Sequence, residues 1–217
     1  MNFGSLDLTE FLKNQLLDRL MLDGQPETLV DWNSIGGYKI VTDIKEKLCQ
    51  LSLNYEKDKK GRIDREYVLP DRSVIRIGSE LYTTPEAIFN PVLMDRRNVL
   101  GVHEAVIGVY DKCDGYMRNL LAQNVLLAGG SSNFPNMRAR LTHELQHAYR
   151  TKYGASKGST TWNDGNFPMV VREPRERGMS SWTGGSILAS LPTFQQLWVS
   201  KGDYDDMKSQ SLFSKCF

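Results

Sequence analysis

An α/β fold follows from three observations. The apolar run at residues 125–128, Val-Leu-Leu-Ala, leads through Gly129-Gly130 and small hydroxyl residues into an amphipathic stretch. That order reads strand, open turn, helix. Upstream, Glu66-Tyr-Val-Leu69 and Val74-Ile-Arg-Ile77 flank a Pro70-Asp71 turn, the pattern of a β-hairpin. Apolar stripes at spacings of three and four lie on either side of both, so strands and helices are mixed along the chain. With 217 residues, 40% of them hydrophobic and 24% charged, the sequence is long and apolar enough for one large or two small globular domains.

In order, Asp7-Leu-Thr-Glu10 resembles a capping box, and Leu8, Leu12, Leu16 and Leu20 share one face of the helix it would start. Asp23-Gly24-Gln-Pro26 is expected to end that helix. A second helix is expected over 38–53, with Val41, Ile44, Leu48 and Leu51 inward and Asp43, Lys45, Glu46, Lys47 and Gln50 mostly outward. The basic run Lys57-Asp-Lys-Lys-Gly-Arg62 reads as a solvated loop. The hairpin follows, then a short helix over 85–89 with Pro85 near its start, and another marked by Val102, Val106, Val109 and Cys113.

The run at 125–128 reads as a strand buried on both faces. Pro135 suits the first turn of the next helix, because its missing N–H has no partner there. Met137, Leu141, Leu145 and Ala148 give that helix its buried stripe. Residues 153–166, rich in Gly, Ser, Thr and Lys, read as a loop, and Met169-Val-Val171 as a short strand. Thr183-Gly-Gly-Ser186 repeats the small-residue turn into a helix. There Ile187, Leu191, Phe194 and Trp198 share a face that Pro192 should divide.

Charge and cysteine content narrow the function. A formal net charge of +1 gives no electrostatic reason to expect nucleic acid or an acidic membrane, and the basic run holds no aromatic residue to stack on a base. Cys49, Cys113 and Cys216 are odd in number and widely spaced, so no zinc ribbon or disulfide framework is indicated. No apolar run approaches the roughly 20 residues that span a bilayer. Met-Asn-Phe-Gly-Ser lacks the regions of a signal peptide. A cytoplasmic protein is expected.

His143-Glu-Leu-Gln-His147 is an HExxH match that sets two imidazoles four apart on one helical face. In a zinc hydrolase the histidines hold the metal and Glu144 activates water. A third ligand is needed; the remaining histidine is His103, and Glu173 and Glu176, with Pro174 between them, have no helical frame to present either. Leu145 belongs to the buried stripe, so surface histidines are the competing reading. No metal and no catalytic residue are expected here.

Longer matches run in order over nearly the whole chain: Asp43-Ile-Lys-Glu-Lys-Leu-Cys49, Val74-Ile-Arg-Ile-Gly78, Pro85-Glu-Ala-Ile-Phe-Asn-Pro91, Lys112-Cys-Asp114, Val125-Leu-Leu-Ala-Gly-Gly-Ser-Ser-Asn-Phe-Pro135, Trp182-Thr-Gly-Gly-Ser-Ile-Leu-Ala-Ser-Leu-Pro-Thr-Phe-Gln-Gln-Leu-Trp198 and Lys215-Cys-Phe217. In these stretches the sequence resembles the second half of actins and actin-related proteins. The resemblance implies a ribonuclease-H-like, actin-like ATPase lobe with a smaller inserted subdomain. The core would be residues 1–40 and 90–175, the insertion 41–89, and 176–217 a segment returning to an N-terminal subdomain.

It also implies an ATP-binding cytoskeletal protein that forms filaments in the cytoplasm, or a non-catalytic actin-related binding module. Lys45 and Glu46 would face the adenosine of ATP or ADP with magnesium, and Gly130, Ser131, Asn133 and Phe134 would line the opposite side. Partners would be actin or actin-like subunits, and actin-binding proteins at a groove near Leu188, Leu191, Thr193 and Leu197. Three departures stand out: Gly178 where actins carry a basic residue near adenine, Phe134 for a tyrosine, and Thr42 for an arginine. By this resemblance the phosphate loops would precede residue 1, so weak nucleotide binding without hydrolysis is expected. Ile187, Phe194 and Trp198 would then show apolar surface to water or to a partner.

Overall fold

The computed structural model describes residues 3–22, 30–61, 64–154 and 167–215. The expected stop at Asp23-Gly24-Gln-Pro26, most of the loop at 153–166, and Cys216 and Phe217 lie outside those residues.

The first helix, α1 (Ser5–Leu22), begins earlier than expected. Asp7 sits inside the first turn and accepts the Gly4 N–H at 2.8 Å, so it satisfies a free donor from the third helical position. Its leucines at 8, 12 and 16 are fully buried. They pack against α2 (Ile35–Leu48) and α4 (Glu80–Glu86).

Ser34 caps α2, its Oγ accepting the Gly37 N–H at 3.0 Å. A Cβ on Gly37 would lie 2.3 Å from the Asp31 carbonyl, so only glycine fits that turn. The helix starts three residues before the expected 38 and stops at Leu48, not at 53. Tertiary backbone bonds end it: Gln50 N–H donates to the Leu81 carbonyl and Leu51 N–H to the Pro135 carbonyl, both at 3.1 Å. Leu51 is buried as predicted, but from extended chain.

Residues 57–60 of the expected basic loop lie in a helix, α3 (Tyr55–Lys60), capped by Asn54 accepting from the Lys57 N–H, and Arg62 lies outside the described residues. The hairpin forms as β1 (Arg65–Val68) and β2 (Val74–Ile77), antiparallel with Val68 opposite Val74. Ile75 and Ile77 point inward while Val74 and Arg76 are exposed, the alternation of a half-buried strand. Pro85 lies in the last turn of α4 instead of the first. Glu80 explains the early start, since its carboxylate accepts the Gly78 N–H at 2.8 Å.

After a 3-10 turn (Pro91–Met94), α5 (Val102–Lys112) buries Ile107, whereas Val109 of the expected stripe is exposed. A helix the periodicity did not reveal, α6 (Gly115–Ala122), follows, capped by Asp114. Strand β3 is only Val125–Leu126 and pairs in parallel with β4 (Val171–Arg172). The expectation of burial on both faces fails, with Leu126 60% exposed. The reason is topological: each described sheet has two strands, so nothing here encloses β3.

Helix α7 (Met137–Tyr149) buries Met137, Leu141 and Leu145 as the spacing predicts and packs on α5 and β4. Pro135 precedes it, separated by Asn136 at φ 67°. A π-helical turn (Arg150–Gly154) continues it.

The second Gly-Gly is not a turn. Gly184 and Gly185 lie inside α8 (Ser180–Ser190). Leu191 then turns extended before Pro192, as the residue ahead of a proline favours, and a 3-10 turn (Pro192–Leu197) follows. Helices α9 (Lys201–Met207) and α10 (Ser209–Lys215) end the described chain.

Candidate functional site

Gly129 has φ 89°, a conformation that side chains disfavour, and there the chain leaves β3 for a 3-10 turn (Gly130–Asn133). Ser132 is spent on this turn, its Oγ donating to the Gly129 carbonyl at 2.6 Å. Gly130, Ser131, Asn133 and Phe134 are thereby set along one wall of a cavity of about 380 Å³. The opposite wall comes from α2 through Lys45 and Glu46, and from α1 through Ser5. Gly178 and Met179 complete the lining. All six residues singled out in the sequence thus border one space.

Their roles in that space differ. Phe134 is buried and forms an apolar wall, and Glu46 is exposed at the rim. Lys45 is 3% exposed, and its ammonium turns to α1. It donates to Ser5 Oγ at 2.6 Å, Thr9 Oγ1 at 2.7 Å and the Ser5 carbonyl at 3.0 Å. Burial pushes the Lys45 pKa down, with Glu46 and Cys49 opposing. Cys49 is sealed in the core, and burial pushes its thiol up to about 12, an unreactive state.

Gly178 borders the cavity beside Asn133. A Cβ there would come within 2.6 Å of Asn133 Nδ2. Arg177 does not replace the missing cation: its Nε donates to the Ser132 carbonyl at 2.9 Å, and its other end approaches Glu173 at 3.9 Å. Ser5 and Met179 were not recognised in the sequence. The one local signal for Ser5 is that Ser5 and Thr9, four apart, put two hydroxyls on one face of α1.

Glu144 accepts from Arg140 Nε at 2.9 Å, and His143 and His147 are exposed. No group of three His, Cys, Asp or Glu side chains able to hold a metal occurs among the described residues. Arg140 is the centre of a buried cluster. It makes two 2.8 Å bonds to Glu86, one of 2.6 Å to the Ser52 carbonyl, and lies over the Phe89 ring. Burial raises the Glu86 pKa, and Arg140 opposes that rise.

A second cavity of about 420 Å³ opens between α5, α6 and β3, walled by Val102, Val106, Tyr110, Leu121 and Met169. It holds none of the six site residues and offers little polar chemistry. At the expected groove, Leu188, Leu191 and Thr193 are exposed and Leu197 half-buried. No helix among the described residues is long and apolar enough to cross a membrane.

A carboxylate stands at the cavity's rim, hydroxyl and carboxamide groups supply further hydrogen-bond donors and acceptors, and Phe134 supplies an apolar surface. Against known protein families, the actin family model matches residues 13–217.

Proposed function

The chain belongs to the actin family, and on that premise we propose that it is the ATP-binding lobe of a filament-forming, actin-like cytoskeletal protein of the cytoplasm. In this reading it is a ribonuclease-H-like lobe with residues 41–89 as its small inserted subdomain. The segment 176–217 returns to the family's N-terminal subdomain. The cavity between α2 and the turn after β3 takes the adenosine end of ATP or ADP, with magnesium carried on the phosphates.

The observation that supports this reading is the convergence of Lys45, Glu46, Gly130, Ser131, Asn133 and Phe134 on one cavity with both polar and apolar walls. Glu46 would accept from the ribose hydroxyls, Asn133 and Ser131 would bond the base or sugar, and Phe134 would carry the ring. Actin or actin-like subunits are the partners of the filament. Actin-binding proteins would use the surface at Leu188, Leu191, Thr193 and Leu197.

The second reading, a non-catalytic actin-related module, has its own support. Lys45 spends all three of its donors on α1, and Arg177 points its Nε at the Ser132 carbonyl and is not among the residues that line the cavity, so neither offers the cavity a ready phosphate donor. Each charge-assisted bond to phosphate that is not made forfeits roughly 1.5–3 kcal/mol. Binding should therefore depend on the adenosine end. Titration calorimetry should give AMP and ATP similar, weak affinities. A magnesium-dependent preference for ATP, or phosphate release above background, would overturn this half-site account. Sedimentation of the chain with and without ATP separates the filament from the module.

A further inference from the structure

An ammonium has three donors, and α1 uses all three of Lys45's. The acceptors are Ser5 Oγ, Thr9 Oγ1 and the Ser5 carbonyl, at 2.6, 2.7 and 3.0 Å, and all are neutral. The Thr9 hydroxyl donates its own proton to the Ser5 carbonyl at 3.0 Å, so its oxygen is left as an acceptor aimed at the ammonium. Ser5 is also a wall of the cavity. Among the lining residues, Lys45 is the one cation and Glu46 the one anion, and Glu46 makes no hydrogen bond or ion pair among the described residues. The cavity therefore shows a ligand a bare carboxylate and neutral polar groups, while the Lys45 ammonium has all its donors engaged by α1.

We propose that Ser5 is a specificity-determining residue of this cavity: by holding the Lys45 ammonium against α1, it makes the site select the uncharged, hydroxyl-bearing end of a nucleotide and give no advantage to its phosphates. The inference rests on the nucleotide reading above. It adds that discrimination is set from α1, by a residue that acts through Lys45. Losing the Ser5 hydroxyl leaves one ammonium N–H without its acceptor beside the cavity wall, where a ligand phosphate would be able to supply one.

The test is a calorimetric comparison of adenosine with ATP on the full chain carrying Ser5→Ala, Ser5→Thr, or Ser5→Ala with Lys45→Met. In the unaltered chain the two ligands should bind about equally. Ser5→Ala should raise the ATP-to-adenosine affinity ratio about ten- to a hundredfold, the range expected for one charged hydrogen bond. That gain should weaken with added salt. Ser5→Thr, which keeps the hydroxyl, should restore the original ratio, and Lys45→Met should abolish the gain. A merely structural role for Ser5 would lower both affinities together and leave the ratio alone. If adenosine binds but Ser5→Ala does not move the ratio, or moves it equally without Lys45, the inference fails while the nucleotide reading stands. If neither ligand binds any variant, the nucleotide reading fails and the inference with it.

Discussion

Helices α1 and α8 start from the same kind of sequence and reach opposite environments. Both carry large apolar side chains at helical spacing. In α1, Leu8, Leu12 and Leu16 disappear into the contacts with α2 and α4. In α8 no residue is buried, and Trp182 and Ile187 are 72% and 61% exposed. The next turn differs little: Phe194 meets Trp198 edge to face at a centroid distance of 6.4 Å, and Trp198 is exposed as well. Beyond it, α9 and α10 bond chiefly to their own segment, through Lys215 to Asp203 and to the Trp198 carbonyl, each at 2.8 Å. A stripe of apolar residues says that a helix has a face to cover. It does not say what covers it.

The sharpest way to break the comparison is to remove the charge that ties the packed region together. Arg140→Met leaves Glu86 buried without its cation, which should cost about 3–5 kcal/mol in urea denaturation. The pH dependence has a definite sign. Burial already raises the Glu86 pKa, and the variant removes the main opposing influence. A carboxyl raised in the folded state penalises folding fully above its folded pKa, and the penalty fades as pH falls through that value towards the unfolded one. The deficit should be largest at neutral pH and above and shrink on acidification. A deficit of equal size at both ends would contradict this account of the cluster.

Next in size is a matched pair. Leu12→Ala should cost about 2–5 kcal/mol, because it opens a cavity under α1. Ile187→Ser on α8 should stay within about 0.5 kcal/mol, since the side chain it replaces already faces water. Its effect should instead appear as reduced binding of a hydrophobic dye and less self-association at high concentration. Equal losses of stability in the two variants would mean that α8 is covered in solution.

The smallest effect lies within the C-terminal segment. Asp203 is held down to about 2, chiefly by Lys215 and then by the Ser200 cap. A depressed carboxylate contributes above its ordinary range, and that contribution is lost as pH falls towards about 2. Asp203→Asn should speed hydrogen exchange in α9 and α10 and leave α1 untouched. Faster exchange in α1 would show that the two regions are coupled after all.

Much of the candidate site was legible because its signals are local. The glycine pair after an apolar run predicted an open turn, and Gly129 adopts the left-handed backbone that needs it. The ordered motifs of α2 and of that turn carried the resemblance from which all six residues were named. The structure added their convergence, and the different orientation of Lys45. That orientation depends on Ser5 and Thr9, 40 and 36 positions away, and no spacing rule reaches so far.

By itself, the sequence determined the elements whose cause lies within a few residues. These include the leucine stripe of α1, the stripe of α7, the turn between β1 and β2, and the break before Pro192. Helical periodicity, turn chemistry and proline sterics act over one or two turns, so the residues that decide are the residues read. Tertiary structure alone decided where α2 ends, because the Leu81 and Pro135 carbonyls draw the next amides out of the helix. It alone set Arg140 between Glu86 and the Ser52 carbonyl, left α8 uncovered, and bonded the Lys45 ammonium to Ser5 and Thr9 of α1. In each case a polar or apolar group had several possible partners in the sequence, and only the packing brought one within bonding distance.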